Sequence, residues 1–242
     1  MSRHLADRAD LAGVLEAHRR YLETDRREGA RADLRGADLS GMSLVGANLR
    51  RARLAHARLD NADLSNADLH GANLAGARLS GARLRGANLA QVRLSGAQLA
   101  GADLCEARIE RAEMEFALLA GATLAGAHLA DSDLSGANLA GADLGGADLQ
   151  GVNLRGADLR NARLDGATLR AARLGGAILS GASLRDCDLK GAYLRVAKLD
   201  GADLSGADLR NATGLTAAQI ASARRNERTR MPPDLNAGGS DG

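Results

Sequence analysis

The chain has 242 residues, 26% of them charged, yet Lys and Arg exceed Asp and Glu by only two and just 1% are aromatic. Near-neutrality removes the electrostatic footprint of a nucleic-acid binder, and without Trp, with one Phe and two Tyr, there is no platform on which bases would stack. No apolar run reaches the roughly 20 residues of a membrane helix, and Met1–Gly13, charged at Arg3, Asp7, Arg8 and Asp10, lacks a secretory core, so the expected compartment is the cytoplasm.

In chain order, the first element is a helix over Asp10–Thr24. Leu11, Val14, Leu15, His18, Tyr21 and Leu22 recur at helical spacing, His18 at the boundary of that face, with Arg19, Arg20 and Glu23 on the other side. Residues 1–31 therefore read as an N-terminal cap over the first layer of the segment that begins at Ala32.

From Ala32 to Asn211 the 180 residues divide into thirty-six pentapeptides without an insertion. The central register position, Leu34 through Leu209, is leucine everywhere except Ile109 and Met114, and two positions earlier stands alanine or, in most exceptions, another small residue. Apolar positions thus alternate by two and three. A five-residue period walks around a helix and leaves no stable face, so a long helix is excluded. A strand holds both apolar residues on one side for a short stretch only, and the next three residues must turn. Four such sides close a square coil of twenty residues, and nine coils stacked at the strand spacing of about 4.8 Å form a rod on the order of 40 Å long. Glycine follows the central residue by two in 22 of the 36 repeats, where a tight corner calls for positive φ; asparagine takes the place at Asn61, Asn66, Asn161 and Asn211.

After Asn211 the register breaks at Gly214. Thr216 and Gln219 have the spacing of a capping box, opening a short helix through Arg225 with Ile220 inside, so residues 212–225 read as a C-terminal cap. Residues 226–242, with Arg228, Arg230, Pro232, Pro233 and a Gly-Gly-Ser-Asp-Gly end, read as a flexible tail.

The repeat A-(D/N/R)-L-x-G, as in Ala37-Asp38-Leu39-Ser40-Gly41 or Ala142-Asp143-Leu144-Gly145-Gly146, resembles the pentapeptide-repeat family over residues 32–211. The resemblance implies an all-β solenoid, a right-handed quadrilateral β-helix with the central leucine and the preceding alanine inside. It also implies a partner, since the best understood members bind DNA gyrase or topoisomerase IV by imitating duplex DNA and protect it from antibiotics or toxins.

Catalysis finds no support in the residues. His4, His18, His56, His70 and His128 are scattered over separate segments, none beside a nucleophile or in metal-ligand spacing, and the glycines are corners rather than phosphate loops. Cys105 lies outward and Cys187 inward, about 19 Å apart at four coils, beyond disulfide reach. The expectation is a non-enzyme without metal or cofactor. A DNA mimic needs a face of aligned negative charge. Residues 32–211 hold 21 acids and 21 bases, and the most acidic wall, around Leu44, Leu64 and Leu84, sets seven acids against Arg83, Arg85, Arg163 and Arg185. Basic groups at Arg50, Arg51 and Arg53 and at Arg155, Arg160 and Arg163 are interleaved with acids, so direct nucleic-acid binding is not expected.

Departures from the repeat mark a candidate contact surface instead. Between Glu106 and Leu119 three successive corners become Glu106, Arg111 and Phe116, and Glu113 and Glu115 precede the last. By register Phe116 and Leu118 point outward, and farther along the same two walls so do Ile178, Tyr193 and Val196. The reading is a scaffold that meets a protein partner through this surface, itself a monomer or weak homodimer. The resemblance offers a type II topoisomerase as the alternative partner.

Overall fold

The computed structural model describes residues 8–25 and 27–236. His4, the charged start up to Asp7 and the glycine-rich end from 237 onward lie outside the described residues.

All thirty-six corner residues, glycine or not, have φ between 52° and 75°, from Val196 to Gly206. The corner is a four-residue turn closed by a backbone hydrogen bond, as where the Met42 N–H donates to the Leu39 carbonyl at 3.1 Å. Such a turn demands positive φ at its third residue, which explains the glycines. The fourteen other residues there accept roughly 1 kcal/mol of left-handed strain each, because the stack above and below fixes the backbone.

Between corners each side joins the next coil in parallel. The Leu39 N–H donates to the Arg58 carbonyl at 2.7 Å, and the Arg58 N–H donates to the Ala37 carbonyl at 2.8 Å. Bridges run with a twenty-residue step, Asp33 to Arg53 through to Tyr193 with Thr213. Only one residue per side makes a bridge before the next turn begins, so each wall is a column of single rungs rather than a set of long strands.

Inside, the leucine and alanine columns are almost wholly shielded from water. Each leucine contributes about 2 kcal/mol before the cost of ordering the chain, so the stack holds where a single coil would not. Val92 and Val152 are buried in the alanine column, and Met42 is half-buried at its start. Two polar insertions are satisfied locally. The buried Ser132 hydroxyl donates to the Ile109 carbonyl at 2.6 Å and accepts the Ala112 N–H at 3.0 Å. The Cys187 thiol contacts the Leu164 carbonyl at 2.9 Å, and burial pushes its pKa up to about 12, which leaves it unreactive.

The N-terminal helix α1 runs Arg8–Glu23. Leu11 is buried, and Val14 and Leu15 pack against the core. His18, which the sequence places at the margin of that face, is fully buried and accepts the Ala32 N–H on Nδ1 at 3.1 Å. It therefore supplies an acceptor to a first coil that has no coil beneath it. Burial lowers its pKa, and the Arg31 charge pushes the same way.

The C-terminal end corrects the sequence reading. Helix α2 spans only Ala217–Ala221, opened by the capping box in which the Gln219 N–H donates to Thr216 Oγ1 at 3.2 Å. The segment read as a flexible tail is folded through Asn236. Arg224 bridges Asp203, Arg230 bridges Asp208, Met231 is buried, and helix α3 covers Pro233–Asn236. The physical reason lies in the ninth coil, whose upper edge would otherwise present unpaired backbone groups. The chain completes a partial tenth turn over that edge, and the Thr229 hydroxyl donates to the Leu204 carbonyl at 2.9 Å.

A candidate protein-contact surface

The backbone at the mid-rod irregularity is regular. Phe116 has φ 57°, its N–H donates to the Ser135 carbonyl at 3.0 Å, and the Ala117 N–H closes the turn on Met114 at 3.1 Å. What differs is the side chain, which a corner residue with a Cβ throws outward and along the rod. Phe116 lays its ring over Gly136 in the next coil, where a built Cβ would sit 2.6 Å from Cε1. The same corner continues as Gly156 and Gly176 and ends at Val196. Two apolar knobs thus bound a groove of three corner glycines, the first of them under the Phe116 ring. Phe116 remains 69% exposed and Val196 71%.

The wall beside this corner carries Leu118, Asn138, Asp158, Ile178 and Lys198 in consecutive rungs. Leu118 is 45% exposed and Ile178 half-buried. Tyr193 stands on the opposite side of the corner, half-buried, its ring 3.3 Å from where a Cβ of Gly175 would lie. Glu113 is also on that side and pairs with Arg93 Nε at 2.9 Å, while Glu115 accepts the Ser95 hydroxyl at 2.6 Å. The residues singled out in the sequence are thereby split. Phe116, Leu118, Ile178 and Val196 share a corner and one wall, whereas Tyr193 and Glu113 belong to the next. Val45 was missed; it is 54% exposed on a different corner, and its only signal was an apolar residue preceding the corner glycine Gly46.

The most acidic wall is finished in another way. Its Asp63 faces Arg83 at 3.7 Å, Asp143 meets Arg163 at 2.6 Å and Asp203 meets Arg185 at 2.6 Å. Ser205, then Arg185, hold the Asp203 carboxyl down to about 2. Carboxylates answered in this way by guanidinium groups add little net negative field.

A cleft at the C-terminal end gathers Asp186, Asp188, Lys190, Asp208, Arg228 and Arg230. Asp208 lies 2.7 Å from Arg210 and 3.2 Å from Lys190, and Arg210 first among its partners drives its pKa far down. Asp188 and Asp208 are both held below the ordinary carboxylate range, so neither is poised to exchange a proton near neutrality. Among the described residues no cluster of His, Cys, Asp and Glu has the geometry to hold a metal ion, and no helix is long and apolar enough to cross a membrane.

The profile of the family described as Pentapeptide repeats matches eight copies over residues 32–71, 72–111, 112–151, 137–176, 147–186 and 177–213. The chain is a pentapeptide-repeat protein. Among solved structures it is similar to HetL, a pentapeptide-repeat protein involved in heterocyst differentiation regulation from the cyanobacterium Nostoc sp. strain PCC 7120. Identity is 34% over 87% of this chain and 92% of HetL, with a TM-score of 0.50. It is also similar to QnrB1, a plasmid-mediated fluoroquinolone resistance protein, at 20% identity over 81% of this chain and 94% of that one, with a TM-score of 0.52. At that identity the likeness to QnrB1 concerns the fold alone. No curated relative matches the chain. The pentapeptide-repeat protein has the family's right-handed quadrilateral β-helix, closed by short helical caps.

Proposed function

We propose that this pentapeptide-repeat protein is a cytoplasmic, non-enzymatic scaffold that binds a protein partner through the corner and wall carrying Phe116, Leu118, Ile178 and Val196. The observation that carries the reading is the exposure of Phe116 and Val196 at either end of a glycine groove, on a rod whose other walls are dressed with polar and ion-paired groups. Large apolar side chains clustered on an otherwise hydrophilic body mark a contact surface, and aromatic anchors dominate such contacts. HetL, the relative at 34% identity, has a role in regulation, which accords with action through contact rather than turnover.

A topoisomerase-binding DNA mimic is the second reading, and the likeness of fold to QnrB1 is what favours it. Against it stands the pairing of Asp63, Asp143 and Asp203 with arginines. Affinity capture by the full chain and by Phe116→Asp, each checked for folding by circular dichroism, tests the scaffold. Partner loss in Phe116→Asp supports it, and equal capture by both chains overturns it. A DNA gyrase supercoiling assay tests the mimic, which requires inhibition or drug protection that duplex DNA competes away and salt weakens.

A further inference from the structure

The wall of Leu118 is complementary to itself when a second copy is laid against it antiparallel, and the complementarity selects one register. A two-fold axis lying in the plane of the contact, perpendicular to the rod, reverses the order of the rungs while keeping each corner on its own side. With that axis midway between the rungs of Asn138 and Asp158, Leu118 faces Ile178 of the other copy. Asn138 then faces Asp158 and Gln98 faces Lys198. At the adjoining corner Phe116 meets Gly176, Val196 meets Gly96, and Gly136 meets Gly156, so each apolar knob enters a site where the opposing chain has no side chain. At the far corner Ala120 faces Ser180 and Ala140 faces Arg160, whose guanidinium is paired with Asp158 at 2.5 Å.

Neighbouring registers fail on charge. One coil in one direction sets Asp158 against Asp158 and Arg155 against Arg155, and places Leu118 opposite Lys198. One coil in the other sets Lys198 against Arg78 and Leu118 against Asp158. In the chosen register no like charges meet from Gln98 to Lys198, a stretch of six rungs or about 24 Å. Arg155 and Arg195, which have no ion-pair partner among the described residues, face Ser135 and Ser95 of the second copy. Ser95 holds Glu115 at 2.6 Å, so Arg195 of one copy approaches Glu115 of the other.

We infer that this wall is a homodimer interface, in which two rods pack antiparallel and side by side with Leu118 on Ile178 of the second copy. The inference rests on the reading of the same surface as a contact site and names its occupant. A patch six rungs long and one wall wide is smaller than a standard interface, so association is expected at tens of micromolar rather than nanomolar, on the order of the weak class.

Sedimentation velocity of the full chain from 1 to 300 μM (roughly the range a weak dimer titrates over) tests it with three variants of outward-facing residues. The unmodified chain is expected to move from monomer towards dimer mass. Leu118→Glu and Ile178→Arg, each placing a lone charge against an apolar neighbour, are expected to remain monomeric, at least ten-fold weaker. The double variant Leu118→Glu/Ile178→Arg sets opposite charges face to face at both ends of the two-fold and is expected to dimerise again. A double variant no better than the single ones overturns the register. A chain that stays monomeric to 300 μM overturns the second copy as occupant. If Phe116→Asp also loses a captured partner in that case, the scaffold reading stands while the homodimer falls.

Discussion

The wall that carries Asp63, Asp143 and Asp203 and the wall that carries Leu118, Asp158 and Ile178 share one backbone, one period and one leucine interior, yet they meet solvent differently. On the first, acids and arginines twenty residues apart pair within the chain, as Asp143 does with Arg163 at 2.6 Å. On the second, the ion pair beside the apolar rungs is local, Asp158 with Arg160, and apolar side chains stand between polar ones. The difference teaches that in a coil whose rungs repeat every twenty residues, surface chemistry is decided column by column. A column that satisfies itself is inert, and a column that does not is available to another molecule.

The largest effect attacks what both walls share. Leu124 stands behind the acidic wall and Leu139 behind the apolar one, both with no exposed surface. Leu124→Asp or Leu139→Asp buries an unpaired charge and is expected to cost more than about 4 kcal/mol, abolishing the cooperative thermal transition from either side. A folded variant of either kind would break the inside-outside assignment.

Next comes the packing of Phe116. Gly121→Ala meets only the left-handed strain, roughly 1 kcal/mol, since no atom lies within 4 Å of the new Cβ. Gly136→Ala carries the same strain and also drives the Cβ into the Phe116 ring, so it is expected to be destabilised by about 1 kcal/mol more unless the ring swings to solvent. Measured against Phe116→Gly alone, which also relieves the strain at residue 116, Gly136→Ala should cost no more than Gly121→Ala does in the parent; paired chemical denaturation curves read the difference.

The ends respond to pH. The folded-state pKa of His18 is lowered by burial, so the unfolded chain binds the extra proton more readily. The stabilisation is complete above the ordinary value of 6.5 and is lost as pH falls through the lower folded value, because a protonated Nδ1 no longer accepts the Ala32 N–H. Amide exchange at residues 30–36 should accelerate below pH 6.5 before the middle of the rod loosens. The carboxylates act in a lower window. Asp203, held to about 2 by Ser205 and Arg185, contributes stability that is present above the unfolded value of 3.8 and disappears between there and pH 2.

Much of this was legible because the interior tolerates so little variation. Thirty-six inward positions, all leucine but Ile109 and Met114 and most with alanine two places before, determine coil, period and inward face, and the corner glycines reveal the positive φ. The capping box and the inward Ile220 were legible, but the cover beyond Arg225 was not, because Arg230 joins the ladder through backbone groups that any side chain would supply. His18 was misplaced for a related reason, since its role depends on an unpaired Ala32 N–H that no spacing displays. At the candidate surface, Phe116, Leu118, Ile178 and Val196 could be found as apolar residues in outward register. Which of them share a wall followed from the twenty-residue coil, but the groove depended on Gly136, Gly156 and Gly176, which look like every other corner.

The smallest effect falls on a third wall, that of Tyr193. Arg93→Ala removes an exposed pair with Glu113 and is expected to change stability by less than about 1 kcal/mol, within error of the parent melting curve.

The most direct test of the contact surface compares binding by two folded variants that alter one wall each. Phe116→Asp/Leu118→Asp removes the apolar anchors, and Asp143→Arg/Arg163→Asp inverts the pair on the acidic wall. Measured by equilibrium binding to whatever protein the unmodified chain retains, a second copy included, the first variant is expected to lose association and the second to keep it. Loss of binding in the second variant with retention in the first would contradict the account and place the contact on the acidic wall.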